Sequence, residues 1–130
     1  MAALASLATI AVTWPETPPS ARAVPLDVAD PVSVALVFTQ RHQAHDPDAC
    51  LLTTPQQRAL LGRHARCLPT GHRSRPEVRL LSASRFAEFA VTMITVRAHD
   101  EVLQQITVSL VRAEDRWLVD SITLTPVEAR

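Results

Sequence analysis

Lysine and tyrosine are absent from this 130-residue chain, and glycine, cysteine and tryptophan occur only twice each. Two glycines leave no glycine-rich loop to cradle a phosphate. Aromatic residues, at 4%, are too few to interleave with a basic surface and stack single-stranded nucleic acid. Neither sign of charge dominates: thirteen basic residues, all arginine, balance thirteen acidic ones. No net field therefore gathers nucleic acid or anionic lipid, and only a local basic patch stays open. Arginine to the exclusion of lysine reads as the codon bias of a GC-rich genome. No internal repeat is visible.

What is present begins with residues 1–14, apolar apart from Ser6, Thr9 and Thr13. Such a run falls short of the roughly 20 residues of a spanning helix but suits the central region of a signal peptide. No cation precedes it, the first being Arg22, so the expectation is a partial membrane anchor or signal, with a native N-terminal helix as the alternative. Ala21-Arg22-Ala23 has the small-x-small form of a cleavage site. Pro15, Pro18, Pro19, Pro25 and Pro31 are half of the ten prolines and make residues 15–29 an extended, semi-rigid linker. An ordinary disordered arm is the alternative there. Residues 30–125 then hold the folded domain and 126–130 a tail, leaving about 100 residues for one core. Cys50 and Cys67 make one potential pair. In an exported chain they are joined, closing a loop that contributes about 3 kcal/mol; in the cytosol they are two small buried thiols.

The domain opens at Asp30-Pro31, where the aspartate caps a helix and proline takes its first position without losing a needed donor. Val32, Ala35, Leu36 and Thr39 fall on one side, and Val34, Val37 and Phe38 widen the apolar surface, so this helix is expected to be well buried. Asp46-Pro47-Asp48 starts a short helical piece. Thr54-Pro55-Gln56-Gln57 starts another with a capping-box spacing, its inner face formed by Leu60, Leu61 and His64. Residues 68–76 read as an exposed connection. From Glu77 the pattern changes to period two. Val102, Gln104, Ile106, Val108 and Leu110 alternate with Leu103, Gln105, Thr107, Ser109 and Val111, as a strand requires. Phe89, Val91, Ile94 and Val96 before it, and Trp117, Val119, Ile122 and Leu124 after it, predict an antiparallel meander over 77–124 with short polar turns.

A buried helix, two shorter ones and four antiparallel strands, closing on Leu110-Val111-Arg112-Ala113-Glu114-Asp115-Arg116-Trp117-Leu118-Val119, resemble the cone-shaped α+β fold of the nuclear transport factor 2-like superfamily. Within it the chain looks most like exported actinobacterial domains held behind one membrane anchor, some of them parts of conjugative transfer machinery. The resemblance implies helices packed on a curved four-stranded sheet. It implies little about activity, because such a fold hosts enzymes, carriers and inert assembly modules alike.

Catalytic members of that superfamily use an acidic base and a donor such as tyrosine in a pocket between sheet and helices. With no tyrosine here, the usual donor is missing; Glu88 and Asp120 are the candidate pocket carboxylates, with an edge or interface position as the plainer reading for Asp120. His42, His45, Cys50, His64, Cys67 and His72 invite a zinc reading, but Cys50 and Cys67 lack the paired close spacing of a structural site, so no metal and no cofactor are expected. Arg63, Arg66, Arg73, Arg75 and Arg79 form a candidate basic docking face, with a solvated surface as the alternative. The resulting expectation is a non-catalytic, extracytoplasmic domain, membrane-anchored or secreted, that serves protein assembly or an envelope role, with a protein partner or a second copy. The rival is a binder of small apolar ligands, or an isomerase-like enzyme, using the cone pocket.

Overall fold

The computed structural model describes residues 24–64, 66–68, 76–98 and 101–126. The apolar segment 1–14, most of the proline-rich stretch and the tail from 127 lie outside them.

Among the described residues three helical elements precede the sheet, each opened by a capping residue and a proline. In α1 (Pro31–Gln43) the Asp30 carboxylate accepts the Val32 N–H at 3.0 Å. A 3-10 helix follows (Pro47–Leu52), its first turn held by Asp46 accepting from the Asp48 N–H at 2.9 Å. In α2 (Pro55–Arg63) the Thr54 hydroxyl accepts the Gln57 N–H at 3.3 Å. Each cap satisfies a donor that a helix start otherwise leaves open, and proline costs nothing at that position.

Four strands, β1 (Glu77–Phe86), β2 (Phe89–Ala98), β3 (Glu101–Ala113) and β4 (Arg116–Pro126), pair antiparallel in the order β1-β2-β3-β4. The sheet is open, with β1 and β4 as its edges. Two-residue turns, Ala87-Glu88 and Glu114-Asp115, close the first and last hairpins; their first residues sit at φ 51° and 62°.

One face of the sheet carries Ala90, Thr92, Ile94 and Val96 of β2, Ile106, Val108 and Leu110 of β3, and Trp117 and Val119 of β4, all buried. Helix α1 touches all four strands on this face and contributes Val34, Ala35, Val37 and Phe38 to the core. The sequence alternation of β4 changes parity part-way, and the register shows how. Leu110 pairs with Val119 and Ser109 with Ser121, so Asp120 is the extra residue of a β-bulge, which returns Ile122 to the core side.

Residues 24–29 of the proline-rich stretch are fastened to the domain. The Val24 N–H donates to Gln40 Oε1 (3.3 Å), the Ser33 hydroxyl donates to the Pro25 carbonyl (2.8 Å), and the Trp117 N–H donates to the Val28 carbonyl (2.8 Å). Cys50 and Cys67 form a disulfide across a sequence separation of 17, joining the 3-10 helix to the segment after α2.

Candidate functional site

An open cleft of about 330 Å3 lies where α2 and the end of α1 meet β4. Leu60, Leu61 and Ile122 supply apolar wall, and His42, Gln57, His64, Arg66 and Ser121 supply the polar part of the lining. The local sequence explains why these residues converge. Thr53 bridges to Val119 in parallel, and the Thr54 N–H donates to the Val119 carbonyl at 2.9 Å, so the chain pairs briefly with the β4 edge. It turns into α2 at once, which lays Gln57, Leu60 and Leu61 beside Ile122.

Arg66 enters the cleft under several constraints. Its backbone N–H donates to the Leu61 carbonyl at 3.0 Å, its guanidinium donates to the His42 carbonyl, and its neighbour Cys67 is held by the disulfide. His42 is 8% exposed and its ring stacks on Phe38, with centroids 5.3 Å apart and planes 12° from parallel. The pKa of this imidazole is lowered to about 4, by burial first and then by the positive charge of Arg66 and of His45. At neutral pH His42 is therefore uncharged, and no carboxylate among the described residues lines the cleft.

The residues singled out in the sequence are scattered. Glu88 lies in the β1–β2 turn and is exposed, with its backbone carbonyl accepting from the Arg112 N–H at 2.9 Å. Asp120, half-buried at the bulge, accepts the Thr54 hydroxyl at 3.3 Å and so sits at the start of α2. Neither lines the cleft. Arg63 and Arg66 follow one another at the exit of α2, whereas Arg79 lies on β1, the edge opposite β4, where its Nε donates to Glu77 Oε2 at 3.1 Å. Arg73, Arg75 and His72 lie outside the described residues. His45 sits at φ 59° in the turn after α1, and both sulfurs are engaged in the disulfide. Among the described residues no three histidine, cysteine or acidic groups converge as a metal site would need. The cleft itself had no sequence signal beyond Leu60, Leu61 and His64 on one helix face.

No protein-family model matches the chain, and no curated protein matches it. Among solved structures it is similar to the solution structure of a SEC-C motif containing protein from Rhodopseudomonas palustris, at 16% identity and a TM-score of 0.54, over 78% of this chain and 82% of that one. This finding overturns the resemblance to the nuclear transport factor 2-like superfamily and its exported, conjugative members. The order of elements suggested a cone, but order alone leaves open whether a meander curls shut, and this sheet stays open under α1. At 16% identity the likeness speaks for fold alone: helices packed against a four-stranded antiparallel sheet.

Proposed function

We propose that this chain is a non-catalytic, extracytoplasmic assembly domain that pairs with a second copy of itself through the outer face of its sheet. The observation that carries the reading is an apolar row laid in register across all four strands: Phe86 against Phe89, Phe89 against Val111, and Val111 against Leu118. Phe86 and Phe89 are 62% and 58% exposed, although each has a large ring to bury. Behind that row the face is uncharged, with Ser84, Val91 and Ser109 followed by Ser82, Met93, Thr107 and Thr123. Charge appears at the two ends of the face: exposed Arg116 opposite Ala113 just beyond the row, and at the far end Glu77, which meets Arg79 at 3.1 Å and Arg97 at 4.0 Å.

Such a face gives a charged partner little to grip. It is, however, self-complementary: a two-fold axis along the strands lays the apolar row on its own copy and hydroxyls on hydroxyls. Four strands at ~4.8 Å and ten residues at ~3.3 Å make a face of roughly 600 Å2. That is under the ~800 Å2 per partner of a standard interface, so the pairing is weak and concentration-dependent. The Cys50–Cys67 disulfide is compatible with an oxidising compartment, and it supports placing the domain outside the cytoplasm. Among the described residues no helix is long and apolar enough to cross a membrane.

Sedimentation velocity from low micromolar to millimolar concentration tests the pairing. A reversible dimer is expected that Phe86→Ser with Phe89→Ser abolishes at unchanged circular dichroism. A monomer throughout, or a dimer indifferent to both substitutions, overturns it.

A further inference from the structure

The geometry points to a binding site at the opposite end of α1: the cavity between the start of α1 and the end of β1 takes a small zwitterion, an amino acid with its charges at the two ends of a short carbon chain, the carboxylate on Arg85 and the ammonium on Asp30. The cavity measures about 220 Å3. Its floor is on the face of the sheet that α1 covers, so nothing in this inference depends on self-association.

Short side chains leave the space open. Asp30, Pro31 and Val32 form one wall where α1 begins, and Ala83, Ser84 and Arg85 form the other along the β1 edge. Between them the floor is Ala90 and Thr92 of β2, which stand opposite Arg85 and Ala83 in register. Alanine and threonine are too short to fill the room below the first turn of α1, and every residue of β1 after Val78 is exposed. The Thr92 hydroxyl donates to the Val108 carbonyl at 3.2 Å, so what the floor leaves for a ligand is mostly carbon.

Both charges are oriented before any ligand arrives. Asp30 caps α1 through Oδ1, which accepts the Val32 N–H at 3.0 Å and engages one of its two carboxylate oxygens. Arg85 reaches across the sheet and lays its guanidinium over the Trp117 ring, 5.1 Å from the centroid. Stacking occupies the flat face of the guanidinium and leaves its N–H edge, the part that grips a carboxylate. The pair of walls then selects the ligand. A simple anion is repelled by Asp30 and a simple cation by Arg85, while a neutral molecule takes water from both charges and replaces it at neither. A zwitterion matches both, with its charges at opposite ends because the two groups stand on opposite walls. At roughly 30 Å3 per heavy atom, the share a water molecule takes in the liquid, the 220 Å3 of the cavity admits about seven heavy atoms, the size of 4-aminobutyrate.

The probes are 4-aminobutyrate, butyrate, butylammonium and 2-aminobutyrate, titrated into the full oxidised chain at pH 7 while the Ala90 and Thr92 methyl and Trp117 indole resonances are followed by NMR. Both charges are exposed, so each contributes modestly. 4-Aminobutyrate is expected to shift all three signals in a saturable way and to bind about fivefold more tightly than butyrate or butylammonium. 2-Aminobutyrate, the same atoms with both charges at one end, is expected to bind more weakly by a similar factor. Asp30→Asn keeps the cap, since asparagine serves there as well as aspartate, and removes only the charge. It is expected to weaken 4-aminobutyrate and to strengthen butyrate, a crossing that loss of structure would not produce. Arg85→Gln is expected to do the reverse for the ends of the ligand, weakening 4-aminobutyrate and strengthening butylammonium. No saturable shift, equal affinity for the four probes, or 4-aminobutyrate binding unchanged in either variant overturns the assignment. Sedimentation of the same variants separates this result from the pairing of sheets, because neither substitution touches the outer face.

Discussion

His42 shows how one side chain couples packing to pH. Its ring is sandwiched between Phe38 and the cleft, and its pKa falls from 6.5 to about 4 because desolvation, reinforced by Arg66 and His45, penalises the imidazolium. In the unfolded chain the same group takes up its proton near 6.5, so between those values the unfolded state binds more protons than the folded one. The sign follows from linkage: this contribution is whole above about pH 6.5, shrinks as pH falls, and is gone near pH 4, a loss of up to ~3 kcal/mol. Urea unfolding across that range should show a falling midpoint for the wild type and a flatter one for His42→Gln. Thr54 carries a different burden. Its hydroxyl accepts the Gln57 N–H and donates to Asp120, tying the start of α2 to the β4 bulge. Thr54→Ala removes the cap and leaves Asp120 without that donor, which should cost about 1–2 kcal/mol in the same urea measurement.

At the level of elements, the two hairpin turns depart from the usual chemistry of tight turns. Ala87 at φ 51° and Glu114 at φ 62° hold left-handed conformations that glycine or asparagine normally fill. A left-handed residue with a Cβ costs roughly 1–2 kcal/mol, partly recovered because alanine and glutamate leave the unfolded chain less entropy than glycine does. Ala87→Gly and Glu114→Gly should therefore each raise stability by about 0.5–1 kcal/mol, read as a higher thermal midpoint with unchanged circular dichroism. The same chemistry explains what could be read beforehand. Asp30-Pro31, Asp46-Pro47 and Thr54-Pro55 announce helix starts because capping and proline geometry act locally, and all three stand where the pattern puts them. The turn at Ala87-Glu88 carries no glycine, asparagine or proline and lies inside Phe86-Ala87-Glu88-Phe89, so nothing in the local sequence marks it as a turn. The β4 bulge was hidden similarly: Trp117 and Val119 share one parity and Ile122 and Leu124 the other, and only pairing with β3 shows that both sets lie on the same face of the sheet, where Leu124 is still 44% exposed.

Across the whole molecule, what was illegible is what depends on distant segments meeting. The pattern showed that helices must cover a meander, but whether the sheet closes and where a cleft opens depend on α2 docking against the β4 edge, a contact between residues more than 60 positions apart. Helix α2 is nine residues long and buries only Gln57 and Leu61, so it cannot stand by its own propensity. Its attachments are the Thr53–Val119 bridge at one end and the Cys50–Cys67 disulfide just past the other. Strands β2 and β3, by contrast, are paired on both sides and covered by α1. Opening the disulfide should therefore be felt unequally. For a loop of 17 residues the chain-entropy model predicts a global loss of about 3 kcal/mol, and local opening of α2 should become easier than global unfolding. Hydrogen exchange on Cys50→Ala with Cys67→Ala checks both parts. Amides of residues 57–63 should lose most of their protection while those of β2 and β3 decline only by the global amount, and Arg66, released with them, should no longer line the cleft. Equal loss across helix and sheet would mean that α2 is held by its packing on β4, and that the disulfide acts on the unfolded chain alone.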